Sequence, residues 1–170
     1  MPTVTAAVHW LSQRAKDILV LLLATMFVTF ILQILFRYVI NEPLGWSEEV
    51  IVGVWLWTVL WGAAFVLRES EEIRFDIIYS NISERSRRIF TTITGVVLIA
   101  VYGISLPAAY SYVSFMKVER SAYLHIRMDV LYSIYVIFAV ASIVRYAYLV
   151  WHALRGDAAT PQTNPSELSD

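Results

Sequence analysis

Residues 41–49 read Asn-Glu-Pro-Leu-Gly-Trp-Ser-Glu-Glu and form a polar hinge between two long apolar runs. The hinge places adjacent carboxylates, Glu48 and Glu49, at the start of a run that contains Trp55, Trp57 and Trp61. A carboxylate at the edge of hydrocarbon is costly unless water or another group solvates it. Tryptophans deeper than the usual interfacial belt pack better on protein than on lipid. The pattern therefore indicates a membrane helix that contacts a partner.

The composition of the whole chain points to the same class of protein. Of its 170 residues, 58% are hydrophobic and 16% are charged, whereas a soluble domain of this size needs more charge to cover its surface. Four apolar runs are long enough, at about 1.5 Å per residue, to cross a hydrocarbon core about 30 Å thick. We therefore predict an all-α integral membrane protein with a four-helix transmembrane domain over residues 17–152, its spans lying near residues 18–36, 50–67, 89–115 and 130–151.

Three further segments complete the predicted organisation. Residues 1–16 have mixed character, so a short interfacial helix and a frayed terminus are both open. Residues 68–88 interleave charged and apolar side chains, which predicts an amphipathic cytoplasmic connection lying on the membrane surface. Residues 153–170 are predicted to be a disordered tail, because Pro, Ser, Thr and Asp are frequent there.

Basic residues predict the orientation of the spans. If both termini are cytoplasmic, nine Lys and Arg residues lie on the cytoplasmic side. The other side then holds four, which are Arg37, Lys117, Arg120 and Arg127. The positive-inside rule favours this arrangement. We therefore predict cytoplasmic termini and an outward-facing hinge.

The hinge supplies candidate helix caps as well as the two carboxylates. Asn41 and Ser47 are residue types that cap helices, and Pro43 suits a first helical turn. Two interpretations of Glu48 and Glu49 remain open. They mark either a capped, solvated helix start or a contact with a partner or a lipid headgroup.

Several other residues are candidates for contacts between helices. Gly53 and Trp57 share a helical face that mixes small and large side chains, as contacts between membrane helices do. Packing within the chain is the simpler interpretation of the tryptophans. Gly95 and Gly103 predict a close backbone approach in the third span. The partner-interface candidates are Trp46, Glu48, Glu49, Gly53, Trp55, Trp57, Trp61, Arg68 and Asp76.

Arginines near the span ends are candidates for contact with lipid headgroups. Arg37, followed by Tyr38, closes the first span, and a snorkelling anchor and a partner contact are both open there. Arg145 lies within the last span but within snorkelling reach of its end. The headgroup candidates are Arg37, Arg85, Arg87, Arg88 and Arg145.

No constellation of catalytic residues is visible in the sequence. There is no cysteine, and His9, His125 and His152 fall in separate segments, which argues against thiolate sites and against a haem between helices. The net charge of −1 gives no field that attracts nucleic acid. Phosphate-binding glycine loops and acidic metal clusters are absent from the sequence. We therefore predict a protein that is not an enzyme, carries no cofactor and binds no nucleic acid.

An ordered set of short motifs extends from the hinge through the second span. It comprises Pro43-Leu44-Gly45-Trp46-Ser47-Glu48-Glu49, then Trp55 and Trp57, Gly62-Ala63-Ala64, Arg68, and Ile73-Arg74-Phe75-Asp76. With the four spans, this set resembles the small membrane subunit, called DctQ-type or Q, of tripartite ATP-independent periplasmic (TRAP) transporters. The resemblance covers residues 15–152. Glu72 and residues 124–129 depart from the family pattern, which has His at the first place and small or proline residues at the second.

The resemblance implies a division of labour in the bacterial inner membrane. A large membrane subunit, called M, carries the substrate and sodium sites and moves as an elevator. A periplasmic binding protein captures an organic acid, such as a dicarboxylate, a keto acid or sialic acid. The small subunit braces the static part of the large one. Its expected partners are thus the large subunit, the binding protein and membrane lipids.

Two other functional classes remain to be weighed. One is an autonomous four-helix carrier or channel that uses Glu48 or Glu49 as its coupling acid. The edge position of these carboxylates argues against it, as does the lack of the internal repeats and broken helices that many carriers show. The other is a redox subunit with haem or quinone, which the scattered histidines disfavour.

Overall fold

The structure is a computed structural model that describes residues 2–67 and 84–155. Four long helices make up most of it. They are α1 (Pro2–Leu35), α2 (Gly45–Trp61), α3 (Glu84–Phe115) and α4 (Met128–Arg155), with π-helical turns at Phe36–Ile40 and Gly62–Val66 and a 3₁₀ turn at Met116–Val118. No strand is formed by these two described ranges. The all-α prediction is confirmed.

All four helices are long and apolar enough to cross a membrane, over Trp10–Ile40, Gly45–Val66, Arg88–Val118 and Met128–Arg155. The prediction of four membrane-spanning helices is therefore confirmed. With its π-helical turn, α2 is about 33 Å long, whereas α1 alone is about 51 Å long. Because the hydrocarbon core is about 30 Å thick, α2 matches it closely and α1 exceeds it.

The helix bounds differ from the predicted segments at three places. Because α1 begins at Pro2, the N-terminal segment and the first predicted span form one continuous helix. An interfacial position for that segment stays a prediction. Of the predicted amphipathic connection, residues 68–83 lie outside the described residues and the rest begins α3. The helix α4 reaches Arg155, and the predicted tail after it lies outside the described residues.

The helices form two antiparallel hairpins that meet along one seam. In the first hairpin α1 packs on α2, in the second α3 packs on α4, and α2 contacts α4 between them. The order across the molecule is therefore α1, α2, α4, α3. In the apolar stretches of α2 and α4, 17% of residues are buried, against 6% in α1 and α3. This difference identifies α2 and α4 as the inner helices.

Glycines permit close approach at two places in this arrangement. A Cβ on Gly53 of α2 would lie 2.8 Å from Leu131 Cδ1 of α4, and a Cβ on Gly95 of α3 would overlap Val150 of α4. A Cβ on Gly103 would have no described atom outside its own stretch of helix within 4 Å, so the close approach predicted there is wrong for contacts among the described residues. The reason is geometric: eight residues turn a helix by about 80° beyond two full turns, so Gly103 faces away from α4.

Candidate functional site

All seven described interface candidates lie along α2, and both glutamates lie at one end of the α2–α4 seam. We call this the loop end; it holds the connection 41–44, the first turns of α2 and the connection 116–127 before α4. The opposite end, where α2 finishes beside the later part of α4, is called the Arg145 end. Trp57 and Gly53 contact the beginning of α4, and Ala63 and Leu67 contact Arg145. The inner helices α2 and α4 are therefore parallel.

The hinge turns the chain sharply between α1 and α2. Asn41 has a left-handed backbone conformation with φ 62°, which asparagine tolerates better than most residues, and it ends the π-helical turn after α1. The helix α2 begins at Gly45, with Leu44 in the N-cap position. Ser47 is fully buried inside the first turn, where its hydroxyl donates to Leu44 O at 2.7 Å. The prediction that Ser47 caps the helix is therefore wrong, and Pro43 precedes the helix.

The Glu49 carboxylate binds the connection between α3 and α4. Its Oε1 accepts a hydrogen bond from the Tyr123 N–H at 2.8 Å, and its Oε2 accepts one from the Leu124 N–H at 3.0 Å. Hydrogen bonds to an ionised carboxylate are stronger than those between neutral groups. Neither interpretation of the glutamates from the sequence predicted this contact within the chain.

The bound segment, which we call the 119–128 loop, is also closed on itself. The Met128 N–H donates to Glu119 O at 3.1 Å, and the Ser121 N–H donates to Ile126 O at 3.0 Å. The Ser121 hydroxyl oxygen accepts from the Ile126 N–H at 3.1 Å. The loop therefore presents a defined set of backbone N–H groups to Glu49.

Two further features shape the end of this loop. His125 turns the chain with a φ of 54°, in the left-handed region. Arg127 donates two hydrogen bonds to the Asp129 carboxylate, at 3.1 and 2.6 Å. This interaction raises the pKa of the Arg127 guanidinium above its ordinary value, because the hydrogen bond and the charge of Asp129 stabilise the protonated form. The pair joins the loop to the first turn of α4.

Gly45 provides the second contact between α2 and the loop. A Cβ at this position would overlap the Tyr123 ring and lie 2.8 Å from its hydroxyl oxygen, so the ring packs directly on the helix backbone. Gly45 and Glu49 are four residues apart and therefore share one helical face. Tyr123 is thus held twice, at its N–H by Glu49 and at its ring by Gly45.

The four tryptophans of α2 divide into two pairs. The Trp57 indole N–H donates to Leu131 O of α4 at 3.0 Å, and the Trp61 indole N–H donates to Ala15 O of α1 at 3.1 Å. This pair joins α2 to its two neighbours. Trp46 and Trp55, by contrast, are 37% and 54% exposed. The second pair is available to lipid or to another protein.

An exposed stripe follows one face of α2. Its members recur at the helical spacing of four, three and four residues, and each of them is exposed: Glu48, Val52, Trp55 and Val59. The stripe begins with a carboxylate at the loop end and continues with apolar side chains along the span. Such a face is chemically suited to a membrane protein partner that offers a polar group at its edge.

The Arg145 guanidinium crosses the seam and contacts the backbone at the end of α2. Its Nη1 donates to Ala63 O and to Leu67 O, each at 3.2 Å. These carbonyls lie where α2 ends, and the last carbonyls of a helix have no partner within the helix. The guanidinium supplies them with donors across the seam. A headgroup contact for Arg145 stays a prediction.

The remaining candidates are placed as follows. Arg37 is exposed, with its guanidinium carbon 6.0 Å from the centre of the Tyr38 ring, and Arg88 is partly buried. Arg68 and Asp76 lie outside the described residues. The side chains of Arg85 and Arg87 are likewise not described. Over the ranges that the structure describes, no group of three His, Asp or Glu residues is placed to hold a metal ion.

Sequence reasoning missed the 119–128 loop as part of the site. The helical spacing of four between Gly45 and Glu49 was an indication of it, because a glycine and an acid on one face near the start of a helix suit a packed ring and a bound N–H. The sequence does not show which segment supplies them, since Tyr123 lies 74 residues after Glu49.

Comparison with protein families gives a match over residues 26–156 to the family described as "Tripartite ATP-independent periplasmic transporters, DctQ component". The matched range includes the later part of α1, the hinge, the α2–α4 seam and the 119–128 loop. Comparison with curated proteins gives no match.

Proposed function

The chain belongs to the DctQ family of tripartite ATP-independent periplasmic transporter components, and from this premise we propose that it is the small, non-catalytic membrane subunit of a sodium-driven importer of an organic acid. In this proposal the chain braces the static part of the large membrane subunit. A periplasmic binding protein delivers the substrate, and the sodium and substrate sites lie in the large subunit. Both termini are cytoplasmic, so the loop end faces the periplasm.

The exposed stripe on α2 is the main observation in support of the proposed scaffolding role. Because α2 is an inner helix, a face left open there is more informative than exposure on α1 or α3, which lie at the edges. The stripe combines Glu48 at the polar boundary with Trp55 within the span. A carboxylate at the edge of hydrocarbon and a ring within it gain more from a protein surface with a matching polar group than from lipid tails. We assign this stripe to the contact with the large subunit.

The distribution of charge supports a scaffold rather than a carrier. Arg145 is the one charged side chain in the four predicted spans, and it donates to the carbonyls that end α2. A carrier binds its ion through polar groups near the midplane. Charged side chains of the described spans other than Arg145 lie toward the helix ends, which suits a chain that anchors another subunit.

The test is recovery of the large subunit with a tagged form of this chain from native membranes. We expect a larger multi-pass membrane protein to co-purify in stoichiometric amount with the wild type and to be lost with Trp55→Ala. Tyr110→Ala is the matched control, because Tyr110 is an exposed aromatic residue on the edge helix α3. Full recovery with Trp55→Ala, or loss with Tyr110→Ala alone, contradicts the assignment of the partner to α2.

The autonomous carrier is the alternative to this proposal, and a second experiment addresses it. It requires a carboxylate that alternates between protonated and ionised forms on a transport path. Glu49 instead accepts hydrogen bonds from the 119–128 loop at the loop end. Substrate uptake into liposomes that contain the purified chain alone would favour the carrier over the subunit.

A further inference from the structure

We infer that Glu49 is a positioning residue: its carboxylate holds the 119–128 loop against the start of α2 and thereby sets the surface that a water-soluble protein partner meets at the loop end. The identity of that partner as the periplasmic binding protein rests on the proposed function. The contact between Glu49 and the loop is a property of this chain alone.

The first argument is the geometry of the contact. A carboxylate has two oxygens, and each accepts one backbone N–H from consecutive residues, Tyr123 and Leu124. This paired contact fixes the direction of the peptide chain as well as its distance from α2. The Tyr123 ring on Gly45 adds a second fixed point on the same helical face. Two contacts four residues apart on α2 therefore define the position of one loop residue.

The second argument is what the loop presents to its surroundings. The N–H groups of Tyr123 and Leu124 face Glu49. The side chains of Tyr123, Leu124 and Ile126 are exposed beyond the ends of the spans. Arg120 is also exposed on this loop. Apolar and aromatic side chains next to a basic group, outside the hydrocarbon, are typical of surfaces that bind proteins. We therefore expect a partner surface with apolar contacts and an acidic group for Arg120.

The third argument is the difference between the two adjacent glutamates. Glu48 is exposed on the stripe of α2, whereas Glu49 is half-buried against the loop. One glutamate therefore faces the surroundings and the other faces the chain. This separation supplies a matched pair of variants at neighbouring positions.

Hydrogen exchange of the loop amides in the full-length chain tests the positioning role. Glu49→Gln keeps the size of the side chain but replaces one acceptor oxygen with an NH₂ group, so one loop N–H loses its acceptor. We expect exchange at Tyr123 and Leu124 to accelerate by about tenfold or more. Glu48→Gln should leave it unchanged, and Glu49→Asp should accelerate it less than Glu49→Gln. Equal exchange in wild type and Glu49→Gln overturns the inference, as does equal acceleration by Glu48→Gln.

A second variant tests the position of the loop without changing the charge of Glu49. Gly45→Ala places a Cβ against the Tyr123 ring, and we expect faster exchange at Tyr123 in this variant. Adding Tyr123→Ala to Gly45→Ala removes the overlap, so exchange in the double variant should match that of Tyr123→Ala alone. If protection in the middle of α2 is also lost, the variant has unfolded, and Glu49→Asp then decides the result.

Binding of the purified periplasmic protein of the same transporter to the membrane complex tests the surface. We expect Glu49→Gln to weaken this binding several-fold while the large membrane protein still co-purifies. Faster loop exchange with unchanged binding overturns the docking role. If the wild-type chain recovers no membrane partner, the proposed function fails and takes the docking role with it. The exchange result in the isolated chain then still decides whether Glu49 holds the loop.

Discussion

The two ends of the α2–α4 seam are joined by opposite charges carried on opposite helices. At the loop end, the Glu49 carboxylate of α2 accepts N–H groups from the chain that leads into α4. At the Arg145 end, the guanidinium of α4 donates to the carbonyls that finish α2. Each inner helix therefore supplies a side chain that binds backbone groups of the other helix or of the loop that leads into it.

The surroundings of the two contacts differ, and this difference separates their roles. The loop N–H groups bound by Glu49 are exposed, so water can replace the carboxylate when the contact opens. Arg145 is partly buried within a membrane-spanning helix. Backbone groups that lose a partner in hydrocarbon have no water to replace it. The loop end is thus suited to recognition, and the Arg145 end to holding the two hairpins together.

The largest effect should come from Arg145→Met. This change keeps an apolar side chain of similar length but removes the donor to Ala63 O and Leu67 O. We expect the free energy of unfolding in mixed detergent micelles to fall by about 3 kcal/mol. Arg145→Lys retains a charged donor and should cost less. Equal stability of Arg145→Met and the wild type would show that the guanidinium does not stabilise the seam.

A smaller effect is expected from filling the seam at Gly53. Gly53→Val places side-chain atoms against Leu131, and overpacking of this kind costs about 1–3 kcal/mol. Gly103→Ala is the control, because a Cβ there would have no described atom outside its own stretch of helix within 4 Å. The same unfolding measurement should show no loss for Gly103→Ala in the isolated chain. A loss there as large as that at Gly53 would contradict the order of helices across the molecule.

The smallest of these effects should come from Trp57→Phe. The change keeps an aromatic ring at the seam and removes the indole N–H that donates to Leu131 O. We expect a loss of about 1 kcal/mol in the free energy of unfolding, the ordinary net value of one hydrogen bond. Trp55→Phe, on the exposed stripe, should have no measurable effect on the isolated chain. If both variants behave alike, the division of the tryptophans into two pairs does not hold.

The four spans could be predicted from the sequence because a long apolar run can be recognised without knowing which segments pack against it. The polar hinge was recognisable for the same reason. The contacts within the chain could not be predicted, because each depends on which distant segment packs against the residue concerned. Ser47 is a good cap by residue type, yet the helix begins two residues earlier and buries it. Arg145 lies within snorkelling reach of the span end, but its hydrogen bonds to the carbonyls of α2 depend on a segment about 80 residues away.

The parallel arrangement of α2 and α4 has an electrostatic consequence. Side by side and in the same direction, the two helix macrodipoles add, so both positive ends lie at the loop end and both negative ends lie toward the Arg145 end. Antiparallel neighbours cancel each other's dipoles, whereas these inner helices repel. The carboxylates at the start of α2, Glu48 in its first turn and Glu49 directly after it, and a cation beside its last carbonyls oppose that repulsion, each by at most about 0.3–1 kcal/mol. The signs of Glu49 and Arg145 are thus those that the central pair of helices requires.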